Sequence, residues 1–139
     1  MGLSDVGTIK ETTEIRLYHP RTGDDIPGPG GKPLSVTVHG PYSAKYKAFT
    51  RKQQQARLQS VTRQNRNALN ITAEEIERGA VDLIIACIES WNISFEGDKV
   101  LPLNEANIRE VFERHPWVRD QIDMAMGNAA DFLEPPKTP

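Results

Sequence analysis

Thr72-Ala73-Glu74-Glu75-Ile76-Glu77-Arg78-Gly79-Ala80-Val81-Asp82-Leu83-Ile84-Ile85-Ala86-Cys87-Ile88-Glu89-Ser90-Trp91 is the stretch on which the fold turns. Thr72 followed by Glu75 is a capping box, in which a hydroxyl and a carboxylate satisfy free helix N–H groups reciprocally. Ile71 and Ile76 stand at the staple positions around it. Ile76, Ala80, Leu83, Ile84, Cys87, Ile88 and Trp91 then recur at spacings of three and four. That spacing predicts an amphipathic helix whose apolar face is the centre of the core.

Toward the C-terminus, Asn92-Ile93-Ser94-Phe95 and Val100-Leu101-Pro102-Leu103 flank the turn Glu96-Gly97-Asp98-Lys99, and a short hairpin is expected there. Asn104 reads as the cap of a second helix, with Leu103 and Ile108 as its staple and Ile108, Val111 and Phe112 facing inward. His115-Pro116 ends that helix and starts another, because proline is tolerated in a first turn. Val118, Ile122, Ala125, Ala129, Phe132 and Leu133 form its expected stripe, weakened at Gly127.

Toward the N-terminus lies a long polar segment. Residues 44–68 hold no glycine or proline and read as one helix after Ser43 as cap. Tyr42, Tyr46, Phe49 and Ala56 make its one short apolar ridge, so most of its length must stay outside a core. Before it, Glu14-Ile15-Arg16-Leu17-Tyr18-His19 and Leu34-Ser35-Val36-Thr37-Val38-His39 alternate as strands do, around a Gly/Pro-rich loop. The expected fold is α+β and mainly helical. It has a loose segment over 1–13 and one domain over 14–134, comprising a β-hairpin (14–42), a long basic helix (43–69) and a helical core (71–134). A loose tail follows over 135–139.

The chain has 139 residues and a net charge of −2, but the charge is divided along it. Residues 44–70 carry seven Lys/Arg and no Asp/Glu; residues 71–139 carry six Lys/Arg and fourteen Asp/Glu. Lys45, Lys47, Arg51, Lys52, Arg57, Arg63 and Arg66 have no acidic neighbour on their own helix, so an acidic surface elsewhere should compensate them. Nucleic acid is one candidate. The acidic half of this chain or of a sister copy is another, and a net-acidic chain of pI near 5.9 favours it. No apolar run reaches the roughly 18 residues of a membrane span. The first residues lack the basic and apolar regions of a signal peptide, and a single cysteine fits a reducing compartment.

The chain holds few residues in chemically suggestive patterns. His19 and His39 could be neighbours across the hairpin, but a zinc site wants three or four ligands and no third is evident. Cys87 sits on the apolar face of the best helix, where a small core residue is expected. Gly30-Gly31-Lys32 fails as a phosphate loop. Ile26 stands where its first glycine belongs, Pro33 where Ser or Thr belongs, and a strand follows instead of a helix. Glu74, Glu75 and Glu77 complement a helix dipole. No catalytic, cofactor-binding or metal-binding set is expected, and the chain reads as a binding protein rather than an enzyme. The candidate contact residues are Tyr42, Tyr46, Phe49, Arg51, Lys52, Arg57, Arg63, Trp91 and Trp117.

Trp91-Asn92-Ile93, Gly97, Leu101-Pro102-Leu103-Asn104, Asn107-Ile108, Pro116-Trp117, Gln121-Ile122, Ala125 and Phe132-Leu133 form a pattern that resembles tail assembly chaperones of long-tailed bacteriophages of the lambda-like, siphophage type. His19-Pro20-Arg21-Thr22-Gly23 and Val38-His39-Gly40-Pro41-Tyr42-Ser43-Ala44-Lys45-Tyr46 extend the likeness over most of the chain. The resemblance implies a non-enzymatic protein that coats the tape measure protein, keeps it soluble and helps recruit tail tube subunits. It also implies residence in the cytoplasm of the infected host and absence from the mature virion. Two other readings stand beside it: a structural virion part such as a connector or tail-completion subunit, and a nucleic-acid-binding protein using residues 44–66.

Overall fold

In a computed structural model, residues 2–3, 7–64, 72–128 and 132–134 are described. Half of the capping box begins the helix: Thr72 is extended and its hydroxyl accepts from the Glu75 N–H at 3.1 Å, while among the described residues the Glu75 carboxylate returns no bond to the Thr72 N–H. Ile71, the other half of the staple, lies outside the described residues. The helix, α2, runs Ala73–Cys87 after a long first helix, α1, Ala44–Gln64. Two more follow, α3 (Glu105–Arg114) and α4 (Pro116–Met126), so the chain is α+β and mainly helical.

The strands are β1 (Thr8–Ile9), β2 (Thr12–Arg16), β3 (Ser35–His39), β4 (Ile88–Trp91) and β5 (Leu133–Glu134). β2 and β3 form the expected hairpin, with Ile15 opposite Val36 and Thr13 opposite Val38. A hairpin alone is marginal in water, and the third strand arrives from a place the periodicity did not indicate. Ile88–Trp91 leaves the helix and pairs with the other edge of β3, giving a sheet of order β2-β3-β4. Asn92 explains the departure. Its Oδ1 accepts from the Ser35 N–H at 2.7 Å and its Nδ2 donates to the Pro33 carbonyl at 3.0 Å, fastening the chain to β3 immediately after β4. The hairpin expected over 92–103 does not form as paired strands. That segment is a loop tied by the Leu101 N–H to the Ile93 carbonyl at 2.8 Å.

One face of the sheet is apolar and the helices cover it. Ile15, Leu17, Val36 and Val38 are buried with Ile84, Cys87, Ile108, Val111, Phe112, Val118, Ile122, Met126 and Phe132 in one cluster. Asn104 caps α3 by accepting from the Asn107 N–H at 2.8 Å. α4 stops at Met126, with Gly127 as its C-cap. The stripe read through Leu133 is therefore interrupted, and Leu133 belongs to a strand.

β1 pairs with β5, and the Lys10 N–H donates to the Phe132 carbonyl at 2.8 Å. Residues 8–9 and 12–13, read as part of a loose segment, are thus ordered by pairing. Thr12 and Thr13 continue the pairing with β3, whereas the partners of Thr8 and Ile9 lie more than a hundred positions away, which local composition cannot reveal. The tail over 135–139 lies outside the described residues.

Candidate functional site

Ser43 sets the direction of the basic helix. It is buried, its Oγ donates to the Gly40 carbonyl at 2.8 Å, and it accepts from the Tyr46 N–H at 3.1 Å. This is an N-cap anchored in the core, and it fixes one end of α1 to the end of β3. Tyr46 packs against the core cluster, and burial, then Cys87, then Asp123, push its hydroxyl pKa up. Phe49 lines a hollow of about 440 Å³ with Ile85, Ala86 and the Asp82, Glu105 and Arg109 side chains. Tyr42 is exposed at 40%. The short apolar ridge therefore holds α1 to the body of the protein, and two of its three aromatic members face inward.

The crossing of α1 over α2 is close at Gly79. Gln53 Nε2 donates to the Gly79 carbonyl at 2.9 Å. A Cβ at Gly79 would meet Gln53 Nε2 at 3.6 Å and an Arg57 nitrogen at 3.8 Å, both ordinary contacts. Close approach does not demand glycine here. Gly79→Ala is expected to raise stability by about 0.5–1 kcal/mol, because glycine costs that much inside a helix. Urea unfolding checks it, and a loss of stability would show that the crossing is tighter than drawn.

On both sides of that crossing the outer face of the helix is cationic. Lys45, Lys47, Arg51, Lys52 and Arg57 are exposed, and none makes an ion pair among the described residues. Arg63 lies on α1 with its side chain outside the described set, and Arg66 lies outside it altogether. The acidic half does not supply the compensation. Asp82 and Glu105 are held by Arg109 at 2.7 and 2.8 Å, Glu77 by Arg119 at 3.0 Å, and Glu110 by Arg114 at 3.1 Å. Apart from Glu89, which faces His39, the acids of that half that pair do so with arginines of the same half, which leaves the charge of α1 directed outward.

The two tryptophans are not brought to this surface. Trp91 is half-buried on β4 opposite Val36, and its indole N–H donates to the Leu101 carbonyl at 2.8 Å, a structural use. Trp117 is half-buried and stands edge-on to His115 at 5.9 Å. Near it, Arg114 lies 4.5 Å over the Phe95 ring.

The histidines are far apart in the register. His39 sits opposite Thr12 at one end of the hairpin, whereas His19 lies beyond the other end. There its Nδ1 accepts from the Arg21 and Thr22 N–H groups. The suggested His19–His39 pair is corrected on that ground. His39 Nε2 faces Glu89 at 4.0 Å, and its buried Nδ1 meets no hydrogen-bond partner among the described residues. Cys87 is fully buried and burial pushes its thiol up to about 11, opposite to what a nucleophilic thiolate needs. Among the described residues no group of three or more His, Cys, Asp or Glu could hold a metal ion, and no helix is long and apolar enough to cross a membrane.

Comparison with protein-family models, curated proteins and solved structures finds no match to this chain.

Proposed function

We propose that this chain is a phage tail assembly chaperone, one that binds the tape measure protein and helps recruit tail tube subunits in the cytoplasm of the infected host. The observation that carries the proposal is the outward, unpaired cationic surface of α1, fixed to the core at Ser43 and Gln53. A helix held to the core along one face and charged on the other is built to meet an acidic surface, and the residues resembling the chaperone family supply the candidate for what that surface belongs to. A segment of +7 and a segment of −8 also suit head-to-tail contacts between copies, which are heterologous and extend into arrays.

The test is co-expression with the tape measure protein of the same phage, followed by affinity capture. Joint recovery is expected. Reversing Arg51, Lys52 and Arg57 to Glu should cut it by about tenfold or more while the thermal unfolding of the chain alone stays in place, because surface charges govern association more than folding. Recovery that ignores the three reversals would remove α1 from the contact. Mass spectrometry of purified virions separates the chaperone from a structural tail subunit, since a chaperone should be missing there. The same cationic surface favours one other reading, nucleic-acid binding. A gel shift that weakens steeply with salt and vanishes in the triple reversal would select it.

A further inference from the structure

The hydrogen bonding of β2 leaves one of its edges open. Glu11 accepts from the Gly40 N–H at 2.8 Å and the Leu17 N–H donates to Leu34 at 3.0 Å, so the odd-numbered residues between them bond to β3. Alternation along an antiparallel ladder then turns the N–H and C=O groups of Thr12, Glu14 and Arg16 the other way. No described residue meets those groups.

The open stretch is stopped at both ends. Lys10 bonds to Phe132 at one end. At the other, the Gln121 amide accepts from the Tyr18 N–H at 2.9 Å and donates to the Tyr18 carbonyl at 2.8 Å, standing in for a strand. Between these stops Glu14 and Arg16 are exposed. Alongside runs a hollow of about 450 Å³ lined by Thr13, Ile15, Tyr18, Met124 and Ala125 among others, and Met124 is 79% exposed. An open edge beside an apolar groove is a template for another strand.

We propose that this edge pairs with the same edge of a second copy, antiparallel about a two-fold axis at Ile15, joining two three-stranded sheets into one. Charge selects both occupant and register. Only even-numbered residues offer outward groups, so the symmetric pairings are few. Centring on Ile15 sets Glu14 opposite Arg16 of the second copy, and Arg16 opposite its Glu14. Centring on Glu14 sets carboxylate on carboxylate, and centring on Arg16 sets guanidinium on guanidinium; like charges directly opposite are destabilising. Centring on Thr13 sets Glu14 opposite Thr12, with no ion pair, and Arg16 opposite Lys10, whose N–H already bonds to Phe132. In the Ile15 register Thr12 would meet Tyr18 of the second copy, whose backbone Gln121 already occupies, so the pairing is confined to Glu14 and Arg16. Arg16 gives up only a 3.5 Å contact to the exposed Asp25. Such a contact is isologous and closes at two copies, unlike the head-to-tail contact through α1.

Sedimentation equilibrium of the full chain over a concentration series tests this. The unaltered chain should dimerise. Glu14→Arg and Arg16→Glu should each weaken the dimer by about tenfold or more, since every variant dimer places two like-charge pairs across the axis. An equimolar mixture of those two variants should recover a heterodimer, and the double exchange E14R/R16E should recover the homodimer. Circular dichroism of each variant checks that the chain remains folded. A chain that stays monomeric throughout, a dimer indifferent to the single changes, or a double exchange that fails to recover it would overturn the proposal. None of these changes touches α1, so their outcome is separate from that of the capture experiment.

Discussion

Gly40→Ala is expected to lower the unfolding free energy by about 3 kcal/mol and the melting temperature by roughly 10 °C. Gly40 is buried where β3 ends, and its N–H donates to the Glu11 carbonyl at 2.8 Å. Its Cα faces the Phe132 ring so closely that an added Cβ would overlap Cδ1 and lie 2.6 Å from Cε1. Phe132 cannot yield cheaply. It is fully buried in the core cluster, and its carbonyl is held by the Lys10 N–H. The backbone at Gly40 is equally constrained, because its carbonyl accepts from Ser43 Oγ, the cap of α1. The methyl group must therefore push apart the β1–β5 pair or the cap. Overpacking of this kind forces off-rotamer side chains and backbone shifts. A double-mutant cycle with Phe132→Leu, read by urea unfolding, separates the clash from any intrinsic effect of alanine. The smaller side chain should absorb part of the cost of Gly40→Ala, giving a strongly non-additive pair. Strict additivity would mean that the two residues do not collide.

The same site shows which parts of the fold a sequence carries locally. Thr72 and Asn104 were readable as caps because the residues they bond, Glu75 and Asn107, lie three positions away. The β2–β3 hairpin was readable because its strands alternate and its loop is rich in turn residues. Nothing near Gly40 in the sequence marks its packing. Its tight contact is with Phe132, and proximity at that sequence distance leaves no periodic trace. The third strand failed for a related reason. Cys87, Ile88 and Trp91 fit a helical spacing equally well, and the decision was made by Asn92 reaching back to Pro33 and Ser35. For the candidate site, the charge run of α1 was plain in the sequence. That its cations go unanswered became visible only once Asp82, Glu77, Glu105 and Glu110 were seen to be engaged by Arg109, Arg114 and Arg119. The open edge of β2 is invisible to composition altogether, since it depends on which backbone groups β3 leaves unused.

Ile122→Ala should cost about 3–4 kcal/mol, whereas Ile76→Ala should change stability by no more than about 0.5 kcal/mol. Both isoleucines stand on apolar helix faces that periodicity assigns to the core. Ile122 is fully buried on α4, within the cluster that includes Leu17, Val36 and Phe112, so truncation removes apolar burial and leaves a cavity that a close-packed interior fills poorly. Ile76 is 56% exposed in the first turn of α2, and the buried members of that helix are Ile84 and Cys87 in its last turn. At such a place alanine loses little burial and gains helix propensity over a β-branched residue. Urea unfolding of the two variants, with equal slopes as the check that the unfolded state is unchanged, measures the contrast directly. A cost at Ile76 approaching that at Ile122 would mean that the start of α2 is covered in solution. A second copy could supply that cover, and the cost would then rise with protein concentration, because binding stabilises the bound form by mass action. A cost independent of concentration would instead place the cover within the chain itself.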